Sequence, residues 1–293
     1  MADFLQQVVS GLASGGIYAS LALALVLIYR ATQVINFAQG EMAMVATFVA
    51  WSLMDVMPYW PAFVLTLAIA FAGGAALELA VIRPVQNAPV LTVVIVTIGL
   101  FIGLNGLARR IWGTSPKTLE SPFSTDPIRI GGVAFSAQDL GIIAVSLAIV
   151  ALLFAFFRWT KLGLALRAAA VNPAESRLVG IRVSLMLALG WGLAAVLGAV
   201  AGMMAAPPLG SFDQNLMQPI LLYAFAAAVL GGIDSPLGAV VGGLTLGVAV
   251  NLIGTYVDFV GADLRLPVAL LIILGVLLVR PAGLFGREAV RRV

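Results

Sequence analysis

The chain has 293 residues, 62% hydrophobic and 10% charged, with a formal net charge of +3 and a mean hydropathy of +1.10. It contains no Cys and no His, which excludes disulfides, thiol chemistry, imidazole general bases and most zinc sites. Lys occurs only at Lys117 and Lys161, neither in a Gly-Lys-Ser or Gly-Lys-Thr context, so ATP binding in the P-loop manner is excluded too.

Several apolar runs reach the length of about 20 residues that spans a bilayer as helix. They are continuously apolar rather than alternating, and lipid offers the backbone no hydrogen-bond partners, so helices are expected and a barrel is not. The reading is an all-α polytopic membrane protein, a Gly/Ala-rich bundle of about nine (eight to ten) spans, with residues 1–293 forming a single membrane domain. No catalytic, cofactor or metal-ligand set is found, and the small positive charge is of the kind that loops at a membrane surface carry, not a nucleic-acid footprint.

In chain order, the first span is expected over 5–28 and the second over 37–56. The second opens on Asn36-Phe-Ala-Gln-Gly-Glu41. One reading makes Asn36 an N-cap with Gln39 completing a capping box and Glu41 in the favourable first turns. The other places Asn36, Gln39 and Glu41 towards a cavity, because an acid just inside the hydrocarbon edge usually faces a bundle interior or aqueous path. A third span is expected over 61–82, with Glu78 as an interfacial acid that snorkels. The fourth, over 90–108, carries Thr97 and Asn105 as candidate path residues or interhelical hydrogen-bond donors. A polar loop over 113–137 follows.

Spans over 138–157 and 183–207 flank a polar, basic segment, 158–182. Leu162–Val171 is helix-prone. Asn172-Pro173 breaks it, Asn as a cap and Pro at the first position of a second short helix, and Gly180 is placed to end that helix. The remaining spans are expected over 218–233, 236–257 and 266–280, with Gly231–Pro236 read as a loop or as a break inside a re-entrant pair. Asn251 in the penultimate span is read as an interhelical hydrogen bond. Gly11 and Gly15, Gly99 and Gly103, Gly198 and Gly202, Gly238 and Gly242, and Gly243 and Gly247 stand four apart, a spacing that lets helix backbones approach closely.

With the N-terminus outside, nine spans put eleven of the 16 Lys and Arg residues inside, among them Arg158, Lys161, Arg167, Arg177 and Arg182, and five outside. This bias makes 158–182 cytoplasmic and 113–137 external.

The run Gly163-Leu-Ala-Leu-Arg-Ala, followed by Asn172, Glu175 and Gly180-Ile181, resembles the cytoplasmic coupling segment of bacterial ABC importer permeases of the branched-chain amino acid type. Asn36-Phe-Ala-Gln-Gly-Glu41, the opening Gly11-Leu-Ala-Ser-Gly-Gly-Ile-Tyr-Ala19 and Thr97-Ile-Gly-Leu100 are similar to that family's motifs, and the length suits the LivH type. Ser176 after Glu175 departs from the Glu-Ala-Ala-xxx-Gly motif of other importers.

The resemblance implies a non-enzymatic permease subunit of the bacterial inner membrane. Its implied partners are a second, related permease, two ATP-binding subunits on the cytoplasmic face, a periplasmic substrate-binding protein and the surrounding lipid. The path candidates are then Asn36, Gln39, Glu41, Thr97 and Asn105, and the ATPase-coupling candidates Arg167, Asn172, Glu175, Arg177, Leu178 and Gly180. Two other readings of the same chain are a permease for urea or short amides and a stand-alone ion-coupled secondary transporter.

Overall fold

The computed structural model of the chain describes residues 2–124, 127–130, 133–257, 259–261 and 264–286. Eleven helices are present among them: α1 (Ala2–Thr32), α2 (Gln39–Met54), α3 (Tyr59–Leu77), α4 (Val90–Trp112), α5 (Ala137–Trp159), α6 (Lys161–Val171), α7 (Pro173–Leu178), α8 (Val183–Ala205), α9 (Met217–Gly231), α10 (Pro236–Tyr256) and α11 (Arg265–Val279). Every one of the nine expected spans coincides with a helix. Six helices are long and apolar enough to cross a membrane, built on α1, α3, α4, α5, α8 and α10, while α9 and α11 are shorter apolar helices. The molecule is a polytopic, all-α membrane protein. Of the basic residues placed inside, Arg287, Arg291 and Arg292 lie outside the described residues.

The bundle is arranged around α1 and α8, whose middles are almost wholly buried. Water does not drive apolar helices together within a bilayer, so their association rests on close packing and interhelical hydrogen bonds. The glycine pairs act in that way. A Cβ built on Gly247 would sit 2.4 Å from the Gly15 Cα, and one on Gly15 would sit 2.9 Å from the Gly243 carbonyl oxygen. The backbones of α1 and α10 are therefore in direct contact. Asn251 of α10 closes the same interface by donating to the Gln7 backbone and side-chain oxygens at 2.7 and 2.8 Å, as expected. Gly198 and Gly202 of α8 play the same part towards α2, meeting Gln39, Ala43 and Thr47. Gly99 and Gly103 do not: a Cβ built on either would meet no other part of the chain within 4 Å, and α4 is largely exposed.

Two expectations are corrected and an open one is resolved. The loop over 113–137 contains an antiparallel hairpin, β1 (Pro127–Ile130) with β2 (Val133–Ser136). Glu78 does not snorkel: it is buried, and it accepts from Arg83 Nη2 at 3.0 Å. Gly231–Pro236 is a tight turn between α9 and α10, with Gly232 at φ +103° and Ser235 capping α10 by accepting from the Gly238 N–H.

Candidate translocation and coupling sites

The helix α2 has 16 residues, about 24 Å at 1.5 Å per residue and less than the about 30 Å of a hydrocarbon core. Its first residue, Gln39, donates through Nε2 to the Ala194 carbonyl oxygen at 2.9 Å. Ala194 lies about 17 Å along α8 from Val183 at 1.5 Å per residue, near the middle of that helix. Residues 33–38 thus run as irregular chain to half the depth of the bundle, where α2 begins. Such a break is tolerated at membrane depth only where protein covers it, and Val34, Asn36 and Ala38 are all buried.

Asn36 and Gln39 hold this break. Asn36 is not the N-cap of α2, which is Ala38 without a side-chain cap. Its Oδ1 instead accepts from the Ala38 N–H at 3.0 Å, and its Nδ2 donates to Gln39 Oε1 at 3.3 Å. The side chains of both residues are committed to these internal bonds. The capping-box reading named the right partners with the wrong geometry, because the helix starts two residues later than a cap at Asn36 requires.

Glu41, in the first turn of α2, is buried within the bundle rather than standing at the edge of a span. Asn105 Nδ2 donates to Glu41 Oε2 at 3.0 Å and to the Gln214 carbonyl oxygen at 3.1 Å. Asn105 Oδ1 in turn accepts from Arg109 Nε at 2.8 Å, and Arg109 reaches Asn215 Oδ1 at 3.3 Å. The junction thus couples α2, α4 and the chain entering α9. Its carboxylate and guanidinium both lie on one hydrogen-bonded chain, the arrangement that makes a buried charge tolerable. Thr97 does not join it. Its hydroxyl donates to the Val94 carbonyl oxygen in its own helix.

Arg109, Gln214 and Asn215 were not among the path candidates. Arg109 stands four residues after Asn105 and so shares its helix face, which was the available signal. Gln214-Asn215 was hidden because the chain before α9 folds back into the bundle.

At the other end of α8, the 158–182 segment follows its expected course closely. Thr160 caps α6 by accepting from the Gly163 N–H at 2.9 Å. Asn172 ends α6 and caps α7, its Oδ1 accepting from the Glu175 N–H at 3.2 Å, with Pro173 at the first position. Gly180, at φ +83°, terminates α7. The Gly180 N–H donates to the Arg177 carbonyl oxygen and the Ile181 N–H to that of Ser176, at 3.1 and 2.9 Å, the two bonds of a Schellman stop. Only Ser176 of α7 turns inward. Glu175, Arg177 and Leu178 all point out, and Leu178 is 86% exposed. Leu166 and Ala169 anchor α6 on Val183 and Met186. Arg167 lines a separate cavity of about 370 Å³ with Arg30 and Arg158.

Residues 7–279 match the family described as the branched-chain amino acid transport system permease component. The chain belongs to that family. It is 34% identical to the high-affinity branched-chain amino acid transport system permease protein LivH of Escherichia coli, over 99% of this chain and 98% of that protein. It is 31% identical to the corresponding permease BraD of Pseudomonas aeruginosa, over the same shares of both chains. Likeness extends to the galactose/methyl galactoside import permease MglC of Escherichia coli, 31% identical over 58% of this chain and 52% of that one. The relatives are transport permeases, and the polar junction and the α6–α7 segment of this permease are therefore features of a transport subunit.

Proposed function

We propose that this chain is the membrane-spanning permease subunit of an ABC importer in a bacterial inner membrane. It passes branched-chain or related amino acids along its interface with a second, related permease. Two ATP-binding subunits dock at the α6–α7 end, and a periplasmic binding protein delivers substrate at the hairpin end. Residues 1–293 act as one membrane domain with about nine helices at membrane depth, of which α2 is a half-helix. The observation that carries the reading is α7: a short helix capped at both ends, held by one buried serine, with an acid, a base and a leucine all turned away from the bundle. A groove on a partner is what such a helix fits. Glu175, Arg177 and Leu178 make the contact, Arg167 and Asn172 position the segment, and Gly180 sets its exit angle.

Co-expression with the two ATPases tests the assignment. Stable co-purification and ATP-dependent uptake of leucine, isoleucine or valine by the reconstituted complex are expected. Uptake by this chain alone in liposomes would instead identify an ion-coupled carrier, and uptake confined to urea or short amides would move the substrate class.

Orientation is testable in whole cells. The chain lacks Cys, so single replacements are clean reporters. In cells stripped of their outer barrier, an impermeant thiol reagent is expected to label Ser124→Cys and to spare Leu178→Cys. The reverse pattern inverts the topology.

Glu41 and Asn105 are assigned to the path as a unit. Glu41→Ala leaves the Asn105 amide with the Gln214 carbonyl as its one remaining acceptor, a loss of about 1 kcal/mol, and uptake is expected to fall about tenfold or more with the complex still assembled. Asn105→Ala should do the same, and the double replacement little more, because partners in one network are not additive. Near-normal uptake by Glu41→Ala removes the junction from the path.

A further inference from the structure

We propose that a pocket between the ends of α3, α7 and α8 seats the phosphate of an anionic phospholipid, in the leaflet at the α6–α7 end of the bundle. After Leu77, the helix α3 widens into one π turn, Glu78–Ile82, and Arg83 follows. Arg83 Nη2 donates to Glu78 Oε2 and to the Ser184 carbonyl oxygen, both at 3.0 Å, which ties α3 to the start of α8. The pocket beside this tie has a volume of about 420 Å³ and is lined by Arg83, Arg177 and Arg182 with Leu79, Ile181 and Leu185.

The charge balance of the pocket is positive. Glu78 is spent on Arg83, and that pair is the one ion pair among the described residues, so Arg182 is matched by no acid, while Arg177 at the rim is left to the ATPase contact. Arg182 is the N-cap of α8 and supplies no side-chain acceptor. The first N–H groups of that 23-residue helix therefore add their partial positive charge to the same pocket. An anion fits this field, and arginine forks match phosphate geometry.

The walls choose the source of the phosphate. Leu79 and Leu185 are 47% and 42% exposed and stand beside the arginines on helices that continue into the bundle. An acyl chain covers such walls, whereas a free phosphate leaves them bare. Basic pockets between helices at this membrane level are a recurring headgroup site.

The test uses the complex assembled with its ATPases in nanodiscs holding equal amounts of phosphatidylglycerol and phosphatidylcholine. Lipid retained on the released complex is counted by native mass spectrometry. Phosphatidylglycerol is expected to be retained over phosphatidylcholine. Arg182→Gln should lower that retention about fivefold, the effect of about 1 kcal/mol per arginine. Arg182→Lys should keep most of it, and Lys161→Gln, at the same end but away from the pocket, should leave it unchanged. Equal retention of the two lipids, or an equal loss in Lys161→Gln, overturns the proposal. So does displacement of phosphatidylglycerol by millimolar inorganic phosphate, which makes this a free-anion site. Retention seen only when the ATPases are left out also overturns it, because the arginines then belong to an ATPase carboxylate.

Discussion

Gly247→Val is expected to abolish assembly of the bundle rather than to impair transport. The position allows no side chain at all: a Cβ there lies 2.4 Å from both the Cα and the N of Gly15 and 2.5 Å from the Gly11 carbonyl oxygen. These are backbone atoms, which cannot move aside as a flexible side chain can. Either α10 shifts bodily off α1 or the pair separates, and the Asn251 bonds to Gln7 go with it. Overpacking of an ordinary core costs about 1–3 kcal/mol. Here the overlap involves the backbone of α1, a helix whose middle is almost wholly buried, so the loss should exceed that range. The measurement is the yield of folded, monodisperse protein in detergent, with the same substitution at Gly103 as control. A Cβ built on Gly103 meets nothing within 4 Å, and Gly103→Val should fold normally in the isolated chain. Equal yields from the two variants would show that α1 and α10 are not in backbone contact.

That contrast also measures what the sequence could convey. Gly99 with Gly103 and Gly243 with Gly247 are indistinguishable as spacings. Only the second pair meets a neighbour within the chain, because the spacing marks a helix face and not what stands opposite it. Helix existence was legible at all nine positions, since length and apolarity decide it. Depth was not. The run from Phe37 to Met54 is apolar enough to be taken as one complete span, and nothing in its composition reveals that Gln39 begins at the middle of α8. The burial of Glu41 follows from that misplacement. Its partner Asn105 was nameable as a polar residue in a span, but the pairing joins residues 64 apart in sequence, which no local pattern reaches. Glu78 failed for a related reason: the π turn keeps the helix winding far enough to bring Arg83 back onto it, and snorkelling was the reading that ignored the turn.

The 158–182 segment was legible nearly in full, because its structure is set by local chemistry. Asn172, Pro173 and Gly180 each act through backbone geometry within a few residues, and the structure places all three as the sequence required. Gly180→Val is therefore expected to uncouple transport from ATP hydrolysis while the bundle folds. No atom lies within 4 Å of a Cβ added at Gly180, so the substitution meets no neighbour. Its cost is conformational: φ is +83°, a region that disfavours side chains by about 1–2 kcal/mol and β-branched ones most strongly. To escape it, the chain must give up the two hydrogen bonds that end α7 and so change the angle at which α7 is presented. Glu175→Arg alters the same surface without touching the backbone, reversing one exposed charge beside Arg177 and Leu178. In a reconstituted complex, both variants should retain substrate-binding protein at the far face and lose substrate-stimulated ATP hydrolysis and uptake by about tenfold or more, the equivalent of about 1.4 kcal/mol or above at the coupled step. Gly180→Asn, which tolerates a positive φ, should recover much of the loss and separates a conformational cause from a missing contact. If wild-type stimulation and uptake persist in both Gly180→Val and Glu175→Arg, α7 transmits nothing, and 158–182 serves only to hold the chain on one side of the membrane.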